Sequence, residues 1–166
     1  MVVDTNFIVF GLQMTLSLLA YVLLAAWFVA PRLAKLPLYD ALLLLVVVHL
    51  FRYVALTLIT PAQVSAQLPD TAAHLIAYGD VASSILAFIA AIFLRYRLPG
   101  ALLVTAVFAV VSLADLADAF IQGVGSNFSG FHLGFNWYVI TFYVPALIVT
   151  NIMVIAMLLR RGPRQA

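Results

Sequence analysis

Five apolar runs dominate this sequence, and each is long enough to cross a lipid bilayer. A membrane-spanning α-helix needs about 20 mostly apolar residues. Of the 166 residues, 66% are hydrophobic and only 8% are charged, which excludes a soluble globular domain. The runs cover residues 6–30, 38–60, 71–96, 99–122 and 136–160. The sequence therefore predicts an all-α integral membrane protein, in which a bundle of five transmembrane helices forms a single domain over residues 1–166.

The first run is predicted to be a retained helix rather than a cleaved secretion signal. The residues before it carry Asp4 and no basic side chain. A signal peptide begins with a basic leader, and its apolar core of about 7–15 residues is shorter than the run at 6–30. All five runs are therefore counted as crossings.

Basic residues predict how the helices are oriented. Seven of the eight lysines and arginines fall in three clusters, after the first, third and fifth runs. Positively charged loops stay in the cytoplasm, so the amino terminus is predicted outside and the carboxyl terminus inside, as five crossings of a plasma (inner) membrane require. This placement accounts for the formal charge of +2 without a nucleic-acid partner. The clustered residues are Arg32, Lys35, Arg95, Arg97, Arg160, Arg161 and Arg164.

The second run contains the residue that is hardest to place in a bilayer. Residues 42–60 read LLLLVVVHLFRYVALTLIT, with His49 and Arg52 near the middle. A charged side chain at that depth costs about 2.5–3.5 kcal/mol even on mild insertion scales, so it needs a partner or a water-filled cavity. Arg52 is therefore predicted to meet acidic or polar groups from other helices.

Two other runs supply carboxylates at the same depth. Asp80 lies in the third run, and Asp115 and Asp118 lie on one polar stripe of the fourth. With a rise of about 1.5 Å per residue, Arg52, Asp80 and Asp115 each lie roughly 10–13 Å from the outer end of their helix. We expect either Asp80 or Asp115 to pair with Arg52.

The charge of this cluster suggests a ligand. One arginine and three ionised aspartates sum to a formal charge of −2, which surroundings of low dielectric constant disfavour. A bound proton, a metal ion or a small cationic or polar solute would balance that charge, and His49 could take up a proton. The sequence therefore predicts a ligand pocket in the outer half of the membrane. Its candidate residues are Arg52, Asp115, Asp80, Asp118, His49, Gln13 and Tyr143.

Metal-ligating residue types are present, but without a metal-binding spacing. His49, Asp80 and Asp115 are candidate ligands, because nitrogen and oxygen atoms from three or four side chains can hold an ion. The sequence contains no HxxxH or HExxH motif and no cysteine. A haem with two histidine ligands would need a second histidine at the depth of His49, which the sequence lacks. No particular cofactor is therefore predicted.

The sequence leaves three classes of function open. The first is binding or transport of a proton, cation or small polar solute through the cluster. The second is a non-catalytic subunit of a larger membrane complex or homo-oligomer, in which Arg52 and an aspartate form a structural pair. The third is a membrane enzyme that acts on a lipid or isoprenoid, with His49 and Asp115 as acid and base. The two non-enzymatic functions are favoured, because the sequence contains no recognisable catalytic motif.

Overall fold

Five long helices make up most of the computed structural model, which describes residues 5–160. Each helix is long and apolar enough to cross a membrane, and residues 5–160 contain no β-strand. These properties confirm the prediction of an all-helical fold with five helices that are long and apolar enough to cross a membrane. The predicted orientation stays a prediction, and Arg161 and Arg164, on which it partly depends, lie outside the described residues. Asp4, which supports the prediction that the first run is a retained helix, also lies outside them. The helices are α1 (Thr5–Leu33), α2 (Leu38–Ile59), α3 (Asp70–Arg95), α4 (Ala101–Gly125) and α5 (Asn136–Arg160).

The connections between helices give the molecule two different ends. At one end, residues 34–37 and 96–100 form short links beside the basic residues, and we call this the basic end. At the other end, the longer links 60–69 and 126–135 pack together, and we call this the loop end. The helices run alternately between the two ends.

Helix α3 lies at the centre of the packing. It contacts α2 on one side and α4 on the other, and α5 packs against α2 and α4. Seven of the nine buried residues of α3 are alanine or serine, and such small residues allow backbones to approach closely. Helix α1 packs mainly against α5, and none of its residues from Thr5 to Val29 is buried. It is therefore the peripheral helix.

The buried side chains form two apolar cores with a polar layer between them. The core in the basic-end half includes Leu42, Val46, Leu94, Phe108 and Val154. The core at the loop end packs beneath the two long links and includes Leu58, Leu68, Ile76, Phe128 and Leu133. Arg52, Ser83 and Ser112 are buried at the level between the two cores, so apolar packing flanks the charged group on both sides.

Helix α2 changes its winding where it enters this polar layer. Residues Leu38–Val47 are α-helical, but Val48–Ile59 form a 3₁₀-helix of 12 residues, which differs from the α-helix expected from the sequence. A 3₁₀-helix has three residues per turn, so every third side chain points the same way. The buried residues of this segment follow that period: His49, Arg52, Ala55 and Leu58.

Side chains from two neighbouring helices bond to the backbone of the 3₁₀ segment. The Tyr143 hydroxyl of α5 donates to the Val48 carbonyl at 2.5 Å, and the Ser84 hydroxyl of α3 donates to the Leu50 carbonyl at 2.7 Å. Such donors compete with the i→i−4 bonds of an α-helix for the same carbonyl oxygens. The tight winding of α2 therefore depends on residues distant in the sequence.

Two prolines are accommodated by local widening of the helix. Pro31 in α1 and Pro145 in α5 each follow a π-helical segment, Ala25–Val29 and Val139–Tyr143. A proline ring collides with the carbonyl group four residues earlier. That residue is the central one of each π segment, so the wider turn moves its carbonyl away from the ring. Pro145 inside the fifth run predicts a kinked helix, and in the structure the irregularity takes the form of a π turn.

The link 126–135 is packed rather than free. The sequence favours a flexible surface loop here, but Phe128 and Leu133 are buried. The Ser65 amide donates to the His132 carbonyl at 2.8 Å, which joins the two long links. Gly134 has a φ of +53°, and a Cβ atom there would lie 2.2 Å from the Gln63 carbonyl oxygen. Only glycine fits this contact.

Substitution of Gly134 should therefore destabilise the loop end. Alanine in the left-handed conformation costs about 1–3 kcal/mol, and in Gly134→Ala the collision with Gln63 adds to that cost. Gly100→Ala is the matched control, because Gly100 has a φ of +82° and open space around its Cβ position. We expect a larger loss of thermal stability in detergent for Gly134→Ala. Equal losses would mean that the two links do not pack as described.

Candidate functional site

The Arg52 guanidinium is the centre of the polar layer. Arg52 is 1% exposed, and each of the three nitrogen atoms of its guanidinium donates to a side chain of α3 or α4. Nε donates to Asp80 Oδ1 at 2.6 Å, and one terminal nitrogen donates to Ser112 Oγ at 2.6 Å. The other terminal nitrogen donates to Asp115 Oδ2. The sequence predicted a pair with either aspartate, and in the structure Arg52 bonds to both.

These residues meet because their helices place them at one level. Asp80 and Asp115 each lie ten residues from the loop end of their helix, or about 15 Å. Arg52 lies seven residues from the end of the 3₁₀ segment, which is about 14 Å at a rise of about 2.0 Å per residue. The shared depth expected from the sequence is present, in the half of the molecule that contains the loop end.

Two serines complete what we call the Arg52 cluster, which consists of Arg52, Asp80, Ser83, Ser112 and Asp115. Ser112 accepts the guanidinium bond described above, and the Ser83 hydroxyl donates to Asp115 Oδ2 at 3.1 Å. Both serines are buried. Hydroxyl groups at helix contacts stabilise charged groups that would otherwise lie in hydrocarbon.

Each carboxylate keeps one oxygen atom free of these bonds. The bonds from Arg52 and Ser83 both reach Asp115 Oδ2, so Oδ1 has no hydrogen-bond partner among residues 5–160. Asp80 accepts through Oδ1, and its Oδ2 has no partner within the same range. The two side chains are 15% and 13% exposed for Asp80 and Asp115. The cluster therefore offers two acceptor oxygens to a small ligand.

Gly79 brings the backbone of α3 against one of these oxygens. A Cβ atom on Gly79 would lie 1.9 Å from Asp115 Oδ1, so this close approach requires glycine. Gly79 is not among the residues predicted from the sequence, although a glycine inside a helix often marks a close approach because it costs about 1 kcal/mol relative to alanine. Its position immediately before Asp80 was the available signal.

A surface groove leads to the same point. It has a volume of about 630 Å³ and extends along α3 from its first turn to Gly79. Asp70 and Thr71 lie at its loop end, and His74 and Tyr78 lie further in, with their rings 5.6 Å apart. Gly79 ends this groove, and Asp115 Oδ1 packs against the same glycine, although the two aspartates of the Arg52 cluster do not themselves line the groove.

Asp118 does not belong to the cluster, which corrects the charge expected from the sequence. Its side chain is exposed, and its carboxylate accepts a 3.5 Å hydrogen bond from Gln122. Arg52 with Asp80 and Asp115 gives +1 −2 = −1 if both carboxylates are ionised. A single positive charge would therefore neutralise the buried layer.

Three other candidate residues contact different partners. Gln13 accepts a 2.7 Å hydrogen bond from the Trp137 indole, so it joins α1 to α5. Tyr143 bonds to the Val48 carbonyl and supports the 3₁₀ segment rather than touching Arg52 through a hydrogen bond. His49 Nε2 lies 3.1 Å from the Thr150 hydroxyl, and its ring packs edge-on against Phe108.

The candidate metal ligands are not brought together. Residues 5–160 contain no group of three histidine, aspartate or glutamate side chains that could hold a metal ion. His49 faces α5 and the Phe108 ring, whereas Asp80 and Asp115 face Arg52. A metal centre made of these three residues is therefore wrong for this structure.

The described residues also lack the contacts of a catalytic triad. Ser83 and Ser112 bond to the ion pair, and the hydroxyl next to the His49 ring belongs to Thr150. Thr150 in turn donates to the Ala146 carbonyl at 2.8 Å. A nucleophilic serine activated by histidine would need a direct bond between them, and residues 5–160 contain no such pair.

Removal of the Arg52 charge should make the protein easier to unfold. In Arg52→Met two carboxylates lose their buried partner, and breaking a buried ion pair costs about 3–5 kcal/mol. Arg97→Met is the matched control, because the Arg97–Asp40 pair at 3.6 Å is exposed and such pairs contribute about 0–1 kcal/mol. The measurement is unfolding by titration with a denaturing detergent. Similar losses in the two variants would contradict a buried, bonded Arg52.

A protein-family model matches nearly the whole chain. Residues 9–159 match the model described as a domain of unknown function, DUF8737. Comparison with curated proteins finds no match. No solved structure matches the chain.

Proposed function

This chain belongs to the DUF8737 family, and we propose that it is a membrane protein that binds a proton at the Arg52 cluster. The proposal rests chiefly on one observation: a single buried guanidinium bonds to two carboxylates and leaves one oxygen of each without a partner. One proton on either free oxygen makes the cluster neutral. The proton would exchange with water through the groove that ends at Gly79.

The number of free oxygens favours a proton over a metal cation. Calcium takes about 6–8 oxygen ligands, and magnesium requires near-octahedral coordination. The cluster supplies two free carboxylate oxygens, and no third acidic or histidine side chain within residues 5–160 joins them to form a metal-binding group. A proton needs only one oxygen atom. A small cationic solute would need the groove itself to supply its remaining contacts.

The side of the membrane that supplies the proton follows from the basic residues. Arg32, Arg95 and Arg160 lie at the basic end, which the positive-inside rule assigns to the cytoplasm. The loop end and the groove would then face the outside of a plasma (inner) membrane. Under this proposal the Arg52 cluster takes its proton from the external solution, and transport further inward requires a second polar route.

The test is infrared spectroscopy of the protein in lipid as the pH is lowered. A protonated carboxyl group has a C=O stretching band that a carboxylate lacks. We expect one such band from a buried carboxyl, and we expect Asp115→Asn and Asp80→Asn each to remove or shift it. Asp40→Asn is the matched control and should leave it unchanged, because the Asp40 side chain is exposed at the basic end and pairs with Arg97. A spectrum that neither cluster variant changes would overturn the proposal.

Gly79→Ala tests the same site without changing any charge. The added methyl group would occupy the space of Asp115 Oδ1, so it must displace the carboxylate or separate α3 from α4. We expect the buried carboxyl band to shift in frequency and in its pH dependence. Gly11→Ala is the control, because nothing lies within 4 Å of its Cβ position. An unchanged band in Gly79→Ala would show that the buried carboxyl does not pack against Gly79.

A second candidate function is that of a non-catalytic subunit of a membrane complex. It is supported by α1, which has no buried residue from Thr5 to Val29 and large exposed apolar side chains, including Phe7, Leu12, Leu16 and Trp27. A helix from another chain could cover this surface, although lipid alone also suffices. Native mass spectrometry of the gently extracted protein distinguishes the two, because a subunit retains a stoichiometric protein partner.

A further inference from the structure

Two fully buried acceptor atoms lie below the Arg52 cluster, toward the basic end. They are His49 Nδ1 and Asn151 Oδ1, and neither has a hydrogen-bond partner within residues 5–160. Both residues are 0% exposed. Buried polar atoms almost always have a partner, either in the protein or in ordered water. Two such acceptors in one region therefore need an explanation.

Each of these two atoms is an acceptor because the other polar atom of the same side chain is the hydrogen-bond donor. The Thr150 hydroxyl uses its hydrogen to donate to the Ala146 carbonyl, so it accepts from His49 and the histidine proton lies on Nε2. In the neutral ring Nδ1 is then an acceptor. Asn151 donates through its amide nitrogen to the Ala109 carbonyl at 3.1 Å, which leaves Oδ1 as the free acceptor.

The two side chains lie in the same layer of the molecule. His49 bonds to Thr150, the residue before Asn151 on α5. On α4, the His49 ring packs on Phe108 with ring centroids 5.0 Å apart, and Asn151 bonds to the adjacent residue, Ala109. Both acceptors thus lie where α2, α4 and α5 meet. A ligand that satisfies both must be a small hydrogen-bond donor.

We infer that this layer binds water, which donates hydrogen bonds to His49 Nδ1 and Asn151 Oδ1. Water suits the site because it supplies two donors and is the usual partner of buried polar groups. It extends the polar interior from the Arg52 cluster toward the basic end, since His49 lies one 3₁₀ turn from Arg52. The binding of this water goes beyond the proposed function and does not depend on it.

Solid-state NMR of ¹⁵N-histidine in lipid bilayers tests the water itself. The protein has three histidines, and comparison with His49→Phe assigns the signals of His49. We expect a proton on Nε2, an Nδ1 shift typical of a hydrogen-bonded acceptor, and magnetisation transfer from water to Nδ1. A proton on Nδ1, or an unbonded Nδ1 without transfer from water, would overturn the inference. This measurement needs no variant at Asn151, so the result does not depend on how such a variant folds.

Variants at two buried asparagines locate the water more closely. In Asn151→Leu we expect the Nδ1 signal to move to its unbonded position and the transfer from water to disappear. Asn136→Leu is the matched control, because Asn136 is also buried and has an unpartnered amide nitrogen, but lies at the loop-end terminus of α5. It should leave the His49 signals unchanged. The same loss in both variants would contradict a site at Asn151.

The hydration of this layer and the proposed function can fail independently. If the carboxyl band itself is absent from the unmodified protein, the proton-binding function fails, and the NMR result still decides whether the layer is hydrated.

Discussion

The interior of this protein is organised by the guanidinium group of Arg52. An arginine in the middle of an apolar helix is stable only when its donors are satisfied, and here three helices contribute to that task. Helix α2 carries the charge, α3 supplies Asp80 and α4 supplies Asp115 and Ser112. The small residues of α3 follow from the same requirement, since larger ones would keep the carboxylates out of reach. The contacts that pack the three helices together are therefore also the contacts that satisfy the buried charge.

The position of the cluster between two apolar cores gives its charge a particular significance. In water, counterions would screen a formal charge of −1. Between the cores, the only exposure of the two carboxylates is the small fraction that remains on each side chain. The groove along α3 ends at Gly79, the residue against which Asp115 Oδ1 packs. Ionisable groups within membrane-spanning segments almost always face the interior of the helix bundle or a water-filled cavity.

Much of this arrangement could be predicted from the sequence, and the failures have identifiable causes. The depth of a residue in the membrane follows from its distance along its helix, and this predicts that Arg52, Asp80 and Asp115 lie at one level. Asp118 was assigned to the cluster because it lies on the stripe of Asp115, but each step of three residues falls about 60° short of a full α-helical turn. Two such steps from the buried Ser112 turn Asp118 to the surface.

Other features depended on contacts that no local pattern reveals. Gln13 was expected in the cluster by its depth, but the peripheral position of α1 directs it to Trp137. The 3₁₀ winding of α2 depends on hydroxyl groups of Ser84 and Tyr143, which come from helices far along the chain. Close approach at Gly79 likewise becomes visible only when α3 and α4 are placed side by side.

The winding of α2 also determines its length, and therefore the thickness of bilayer that it can span. Its 22 residues would span about 33 Å as a regular α-helix. With 12 residues in the 3₁₀ form, which rises about 2.0 Å per residue, the helix spans about 39 Å. That equals the length of about 39 Å expected for the 26 residues of α3, its main neighbour. Overwinding thus lets a shorter segment reach the same two membrane surfaces as a longer one, and it removes the hydrophobic mismatch that would otherwise tilt one helix against the other.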